Sequence, residues 1–246
     1  MKRNALLGAV VLLAVTSASE AAADGGPGPL GVTTVAVATA ESARVGALFG
    51  SGGLGGGHFC TASVVHSARR DLLVGAAHCL RTGDDLFFAP GYRDGRAPYG
   101  VWKVSRVFLS DGWASGRDED SDVAFAAVRA RAGKRVEDVV GGNRFAAGTA
   151  TGATAVTVTG YPDSGEVPVR CTNRPAAHSR TQQRIDCPGF TGGTSGSPWV
   201  NADGQVVGVL GGHERGGATA DISYSVVLGA EAAKLYRHAA TAQNTP

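Results

Sequence analysis

Between residues 45 and 228 the chain is cut into short β-rich segments by clusters of Gly, Asp, Asn and Pro, and this punctuation constrains the fold more than any other feature. The segments are 45–49, 59–65, 72–75, 86–89, 101–109 and 123–128, followed by 155–161, 167–171, 184–187, 198–200, 205–210 and 222–227. Short apolar runs bounded by turn formers read as strands. "TAVTVTGY" at residues 154–161 alternates with period two, as a half-buried strand should. Many short strands with turns this regular indicate closed barrels or a sandwich. No internal repeat is visible.

Between the two sets lies "RARAGKRVEDVVGGNR", residues 129–144, charged at first and then glycine-rich, which reads as the connection between two β units. The one long helix is expected at the end, where Ala232, Leu235, Tyr236 and Ala239 fall on one face.

The N-terminus carries Lys2 and Arg3, an apolar stretch from Ala5 to Val15, and small residues ending at Ala23. That order is a secretory signal peptide over residues 1–23. A membrane anchor is the competing reading, but the stretch is about half of the roughly 20 apolar residues a spanning helix needs. Residues 24–44 lack a helical period and contain several breakers, so they read as a leader or short pro-segment. Without Lys2, Arg3 and Glu20 the formal net charge falls from +2 to about +1. A nucleic-acid binder would need a basic face to neutralise phosphates, so no nucleic-acid partner is expected. The expected protein is secreted, extracellular and monomeric, with no stable membrane anchor.

Four cysteines in an exported chain suggest two disulfides, with three pairings possible. Cys60 with Cys79 and Cys171 with Cys187 are the most local. A zinc site is disfavoured, because no two cysteines or histidines show close CxxC or HxxxH spacing. No metal and no cofactor are expected.

The chemistry is concentrated in "GGTSGSPW", residues 192–199. Small residues around one hydroxyl let main-chain N–H groups converge near that oxygen, as an acyl-transfer site requires, although a flexible hairpin loop has the same composition. A serine also needs a base that is itself held by a third group. Of the six histidines, His78 sits in the most prepared environment: "LLVGAAHC" places it at the end of an apolar strand, beside Ala76, Ala77 and Cys79. A buried histidine satisfied by hydrogen bonds is the plain alternative. Among the carboxylates of "GRDEDSDVAFAAV", Asp118, Glu119 and Asp120 look like a solvated loop, whereas Asp122 abuts the apolar run 123–128 and lies at a strand mouth. The plain alternative for Asp122 is a turn cap. His58, His66, His178 and His238 read as solvated positions, and Trp102, Trp113 and Trp199 as core or rim aromatics.

The ordered set "FCTASVV", "VGAAHC", "DVAF" and "GTSGSP" resembles the trypsin-like, chymotrypsin-fold serine peptidases, and most closely their secreted bacterial branch that includes the V8-like glutamyl endopeptidases. The resemblance covers residues 45–228. It implies an all-β fold of two six-stranded antiparallel β-barrels, about 45–130 and about 145–228, within a domain reaching residue 246. The active site would lie in the cleft between the barrels, and a C-terminal α-helix would span about 229–240. It implies that His78 is general base and then general acid, that Asp122 holds the imidazole, and that Ser195 is the nucleophile. The backbone N–H groups of Gly193 and Ser195 would form the oxyanion hole. A Cys60–Cys79 bridge matches the family's disulfide beside the catalytic histidine. The partner would be a protein or peptide substrate.

Two departures bear on mechanism. Thr194 stands where the animal digestive members carry an Asp that binds a newly cut N-terminus, so activity is expected not to depend on such an insertion. Ser197 replaces a glycine, as in the V8-like branch. Members that cut after Lys or Arg place an Asp where this chain has Gly189, which disfavours a basic preference. Two preferences stay open: an acidic side chain met by Thr191 and His213, although the branch's histidine would be expected nearer Leu210, and a small or apolar one. Val209, Leu210, Gly211 and Gly212 are expected to pair with substrate backbone. A catalytically inactive binding protein on this fold is the alternative function; its usual sign is loss of a triad member, and all three candidates are present. An esterase with a nucleophile elbow is disfavoured, since "GTSGSP" lacks GxSxG spacing.

Overall fold

The computed structural model of the protein describes residues 29–81 and 85–242. The expected signal peptide lies outside them. The chain opens with β1 (Thr33–Val35) and a short helix α1 (Ala40–Ala43), then enters six strands: β2 (Val45–Phe49), β3 (His58–Val65), β4 (Leu72–Gly75), β5 (Phe87–Pro90), β6 (Trp102–Leu109) and β7 (Ala124–Val128). These close into a barrel in the order β2-β3-β4-β7-β6-β5, every pairing antiparallel. Strands β2, β4 and β7 are buried along their whole length. They read as continuous apolar runs because one face fills the barrel and the other is covered. Inside sit Leu48, Val64, Leu73, Phe88, Trp102 and Ala126. A fully buried Leu or Phe of this kind contributes about 1.5–3 kcal/mol.

Two short helices interrupt this pattern, α2 (Asp111–Gly116) before β7 and α3 (Val136–Val140) after it. The second β unit comprises β8 (Arg144–Phe145), β9 (Val156–Gly160), β10 (Val169–Asn173), β11 (Ala176–Ala177), β12 (Gln182–Asp186), β13 (Pro198–Asn201), β14 (Gln205–Val209) and β15 (Ile222–Val226). The two-unit, mostly β architecture of the sequence reading is present, but the second unit does not close as the first does. It forms a six-stranded sheet, β1-β10-β9-β13-β14-β8, and a three-stranded sheet, β11-β12-β15. The free edge of β10 is taken by β1, with Thr33 opposite Cys171. The Gly31 N–H also donates to the Asp186 carbonyl at 2.8 Å. A backbone edge can be paired only once on each side, so the N-terminal segment, not β12, completes β10. The Cys171–Cys187 disulfide and a single Leu210–Ser225 bridge tie the two sheets together around Val158, Ile185, Trp199 and Val207.

The alternation read at 154–161 is observed: Val156, Val158 and Gly160 are buried while Thr157 and Thr159 are half-exposed. The last helix, α4 (Ala230–Thr241), buries Ala232, Leu235 and Ala239. They pack against Phe125 and Phe108 on the outside of the first barrel and Val226 of the second unit. Tyr236 caps this contact, donating its hydroxyl to the His66 carbonyl at 2.8 Å. One histidine differs from the sequence reading. His58 is buried, its ring set edge-on to Phe49, Tyr92 and Tyr161, and Nε2 lies 2.9 Å from the Gly165 carbonyl. These rings form an aromatic cluster, separate from the barrel interior, that joins the first barrel to Tyr161 of the second unit. Among the described residues no helix is long and apolar enough to cross a membrane.

Candidate active site

The β4 strand ends at Gly75, and buried Ala76 and Ala77 lead into a tight turn closed by Cys79 N–H to Ala76 C=O at 3.1 Å. The Cys60–Cys79 disulfide ties that turn back to β3. Both local pairings of the sequence reading are thus formed. The turn presents His78, whose side chain is 14% exposed, beside the Trp113 ring. Cys60, His78 and Cys79 place three metal-ligand atoms close together, but the two sulfurs are joined to each other and offer no thiolate.

Asp122 follows the one-turn segment Glu119–Ser121 and precedes β7. It is fully buried, and its carboxylate is held by three donors. The His78 N–H reaches Oδ1 at 2.9 Å, His78 Nδ1 lies 2.7 Å from Oδ2, and the Gly212 N–H reaches Oδ2 at 2.8 Å. A carboxylate held by this many donors is fixed in place and leaves the imidazole one orientation. Asp120 is exposed and accepts from Gln182 Nε2 at 2.8 Å. The structure therefore joins His78 to Asp122 and not to its neighbour.

Ser195 lies in the turn before β13, and the carbonyls of residues 192–195 are each held from outside. Gly192 C=O accepts from Asp163 N–H at 2.8 Å, and Gly193 C=O from Thr61 Oγ1 at 3.0 Å. Thr194 C=O accepts from Ser197 N–H at 3.0 Å and Ser197 Oγ at 2.6 Å, and Ser195 C=O from Thr61 N–H at 2.8 Å. In a trans peptide the N–H points opposite the preceding carbonyl. Fixing the Gly192 and Thr194 carbonyls therefore fixes the directions of the Gly193 and Ser195 N–H groups. Neither N–H donates to any group among the described residues. Gly193 has φ +87°, and a Cβ there would lie 2.5 Å from Asp163 N and 2.6 Å from Tyr161 O. No other residue fits that turn.

The Ser195 hydroxyl donates to the Arg215 carbonyl at 3.4 Å, and among the described residues no hydrogen bond joins it to His78. Beside Ser195 opens a hollow of about 280 Å³ whose walls include Thr191, Leu210, Arg215, Gly216 and Thr219. Among the described residues no carboxylate lines it. Of the residues expected to contact substrate, Thr191 and Leu210 reach this hollow. Gly189 does not; it lies against the N-terminal segment, near Thr33. His213 does not either: its ring stacks with His178 and packs edge-on to Tyr224, outside the hollow. Val209 is buried in β14 opposite Pro198. Gly211 and Gly212 pass behind Asp122, with their N–H groups committed to the Tyr224 carbonyl and to Asp122. Thr61, Asp163 and Arg215 escaped the sequence reading. Thr61 stands inside the quoted "FCTASVV", but its hydroxyl contacts residues 100 and 132 positions away.

A model of the trypsin-like peptidase domain matches residues 60–209, which include His78, Asp122 and Ser195. The chain belongs to this family. The peptidase is similar in structure to the protease Anisep from Arthrobacter nicotinovorans, at 27% identity and a TM-score of 0.74 over 86% of this chain and 100% of that one. It is similar to the thermostable serine protease AL20 from an extremophilic microorganism, at 27% identity and a TM-score of 0.73, covering 83% and 100%. A Glu endopeptidase shares the fold at 18% identity and a TM-score of 0.70, covering 87% and 99%. Comparison with curated protein sequences gives no match. The peptidase is thus a serine-type endopeptidase of chymotrypsin fold, with proteins or peptides as its substrates.

Proposed function

We propose that the peptidase is secreted and cleaves peptide bonds through a Ser195–His78–Asp122 triad and an acyl-enzyme intermediate. The observation that carries this reading is the loop around Ser195, where four held carbonyls leave two N–H groups unpaired beside one hydroxyl. An inert hairpin has no reason to hold two donors without acceptors.

In the proposed cycle, substrate enters with its scissile carbonyl oxygen at the Gly193 and Ser195 N–H groups. The Ser195 side chain turns from the Arg215 carbonyl to His78 Nε2. Catalytic hydrogen bonds of free enzymes commonly tighten in this way only when substrate is bound. Oγ attacks the carbonyl carbon as its proton passes to Nε2, and Asp122 stabilises the imidazolium through Nδ1. His78 then returns the proton to the leaving amine, the C–N bond breaks, and the acyl group stays on Oγ. Water repeats the sequence, releasing the acid and restoring Ser195. The Gly211 carbonyl, which accepts from no described residue, is the acceptor available to a substrate amide. Two disulfides fit an oxidising, extracellular location.

Thr194 supports activity without a newly cut N-terminus. Its hydroxyl donates to the Thr191 carbonyl at 2.7 Å, closing locally the turn that an ion pair closes in the animal enzymes. Labelling the exported protein with a fluorophosphonate and mapping the adduct tests the reading. Modification of Ser195, absent in Ser195→Ala, is expected; a folded protein that resists the probe refutes it.

A further inference from the structure

Thr61 is fully buried in β3 of the first barrel, yet every partner of its hydroxyl lies in the second unit. Oγ1 accepts from the Tyr161 N–H at 2.9 Å and donates to the Gly193 carbonyl at 3.0 Å. Its own N–H donates to the Ser195 carbonyl at 2.8 Å. One residue thus supplies two of the four anchors of the Ser195 loop.

The hydroxyl anchor acts where the loop is least constrained. Gly193 has no side chain to limit rotation of its flanking peptides, and its φ of +87° is one that glycine alone occupies at no steric cost. Its preceding peptide is held by Asp163 N–H, and its following peptide by Thr61 Oγ1 on the carbonyl and by a longer Thr194 N–H to Thr191 C=O bond of 3.2 Å. Loss of the Thr61 bond leaves ψ of Gly193 restrained by that longer bond alone and loosens the Gly193 and Ser195 N–H groups relative to each other. Oxyanion binding depends on both donors being set before the charge forms. Because the hydroxyl accepts from Tyr161 as it donates to Gly193, each bond also strengthens the other.

We propose that Thr61 is a positioning residue, whose hydroxyl holds the Gly193 peptide so that the two N–H groups converge on the developing oxyanion. The proposal rests on the peptidase reading above. It predicts that removing the hydroxyl lowers kcat and leaves KM nearly unchanged, because ground-state contacts in the hollow beside Ser195 do not involve Thr61. Removing an oxyanion donor costs a factor of about 100 to 1000, so loosening one is expected to cost about 10 to 100.

The experiment compares wild type with Thr61→Val, Thr61→Ser and Thr61→Ala on one peptide substrate, with active sites counted by fluorophosphonate. Affinity for a peptidyl trifluoromethyl ketone, which forms a tetrahedral adduct, is measured alongside. Thr61→Val is expected to lose the stated factor in kcat and a similar factor in ketone affinity, with KM within about threefold. Thr61→Ser keeps the hydroxyl and is expected to restore both. Where Thr61→Val does not fold, the Ser and Ala variants, which differ only by the hydroxyl, give the same comparison. Equal kcat and ketone affinity per labelled serine in the Ser and Ala variants, with melting temperature alone changed, overturns the positioning role while the peptidase reading stands. A wild type that neither labels nor cleaves overturns both.

Discussion

Replacing Asp122 by Asn tests the orientation of His78 most directly. Asp122 Oδ1 accepts one N–H and Oδ2 accepts two, all inside a site closed to solvent. An amide offers one oxygen for these three donors. With the oxygen kept at the Oδ2 position, the new NH₂ faces the His78 main-chain N–H and neither of its hydrogens is used. Turned over, the amide keeps the bond from the His78 N–H and donates to Nδ1, leaving the Gly212 N–H against a donor. Both arrangements make two hydrogen bonds, but the second leaves two hydrogens unpaired against three and is preferred. It makes Nδ1 an acceptor, so the ring proton moves to Nε2, where it blocks proton uptake from Ser195. Two buried N–H groups left unpaired, that of Gly212 and one of the amide, cost about 1–3 kcal/mol each. At about 2–4 °C per kcal/mol for a domain of this size, the melting temperature is expected to fall by about 4–24 °C. The wrong tautomer costs about 10⁴ in kcat in the family's template enzyme, or about 5.5 kcal/mol at 1.36 kcal/mol per tenfold. The assay is turnover per folded molecule beside Asp120→Asn, whose exposed carboxylate contacts Gln182. That control is expected to stay within about twofold of wild type. Retention of more than about a tenth of wild-type turnover in Asp122→Asn, or an equal loss in Asp120→Asn, would refute the reasoning.

Two further outcomes follow from packing and charge. Gly196 has φ +88°, and a Cβ there would meet the Thr61 carbonyl oxygen at 2.1 Å, so Gly196→Ala is expected to cost more than about 2 kcal/mol and to lower turnover per folded molecule. An unchanged calorimetric melting temperature would contradict it. Burial, and then the Glu166 carboxylate that accepts its hydroxyl, push Tyr92 from an ordinary value of 10.0 to about 12. The unfolded chain therefore loses that proton first. The contribution of Tyr92 is complete below pH 10 and is lost as pH rises through 12. Thermal melts of Tyr92→Phe are expected to decline less steeply over that window than those of wild type, and parallel declines would remove Tyr92 as a cause.

The triad candidates could be read from the sequence because each is announced by its own short neighbourhood. His78 follows a fully apolar strand, Asp122 opens one, and Ser195 is framed by residues too small to crowd its backbone. Strand positions were legible for the same local reason, as the alternation at Val156, Val158 and Gly160 illustrates. What escaped depends on approach in space. β1 carries Thr and Val like any strand, yet nothing nearby says that its partner is β10, more than 130 residues later. His58 is polar by composition and buried because the rings of Phe49, on the paired strand, and of Tyr92 and Tyr161, from loops far along the chain, surround it. His213 is offered to the substrate side by the family resemblance, although counting along the chain places the branch's histidine nearer Leu210. The left-handed turn at Glu214 and Arg215 instead carries the path around, so that the Arg215 carbonyl, not the His213 ring, faces Ser195.

The same long-range contacts explain how a cleft between two units can keep catalytic register. His78 and Asp122 belong to the first barrel and Ser195 to the second unit, so relative sliding of the halves would separate the proposed base from the proposed nucleophile. Two hydrogen-bonded links oppose that motion, and they run in opposite directions. Gly212 of the second unit donates to Asp122 of the first at 2.8 Å, while Thr61 of the first donates to the Ser195 and Gly193 carbonyls of the second at 2.8 and 3.0 Å. The first link sets the carboxylate that orients His78, and the second sets the loop that carries Ser195 and the proposed oxyanion donors. A displacement therefore strains both together and leaves buried donors unpaired on each side, at about 1–3 kcal/mol apiece. Register is built from contacts internal to the folded chain. The loop takes its shape from Thr61, Asp163 and Ser197, which is the basis for the proposal that Thr194 replaces the acidic residue of the animal enzymes without a charge brought in from a cut terminus.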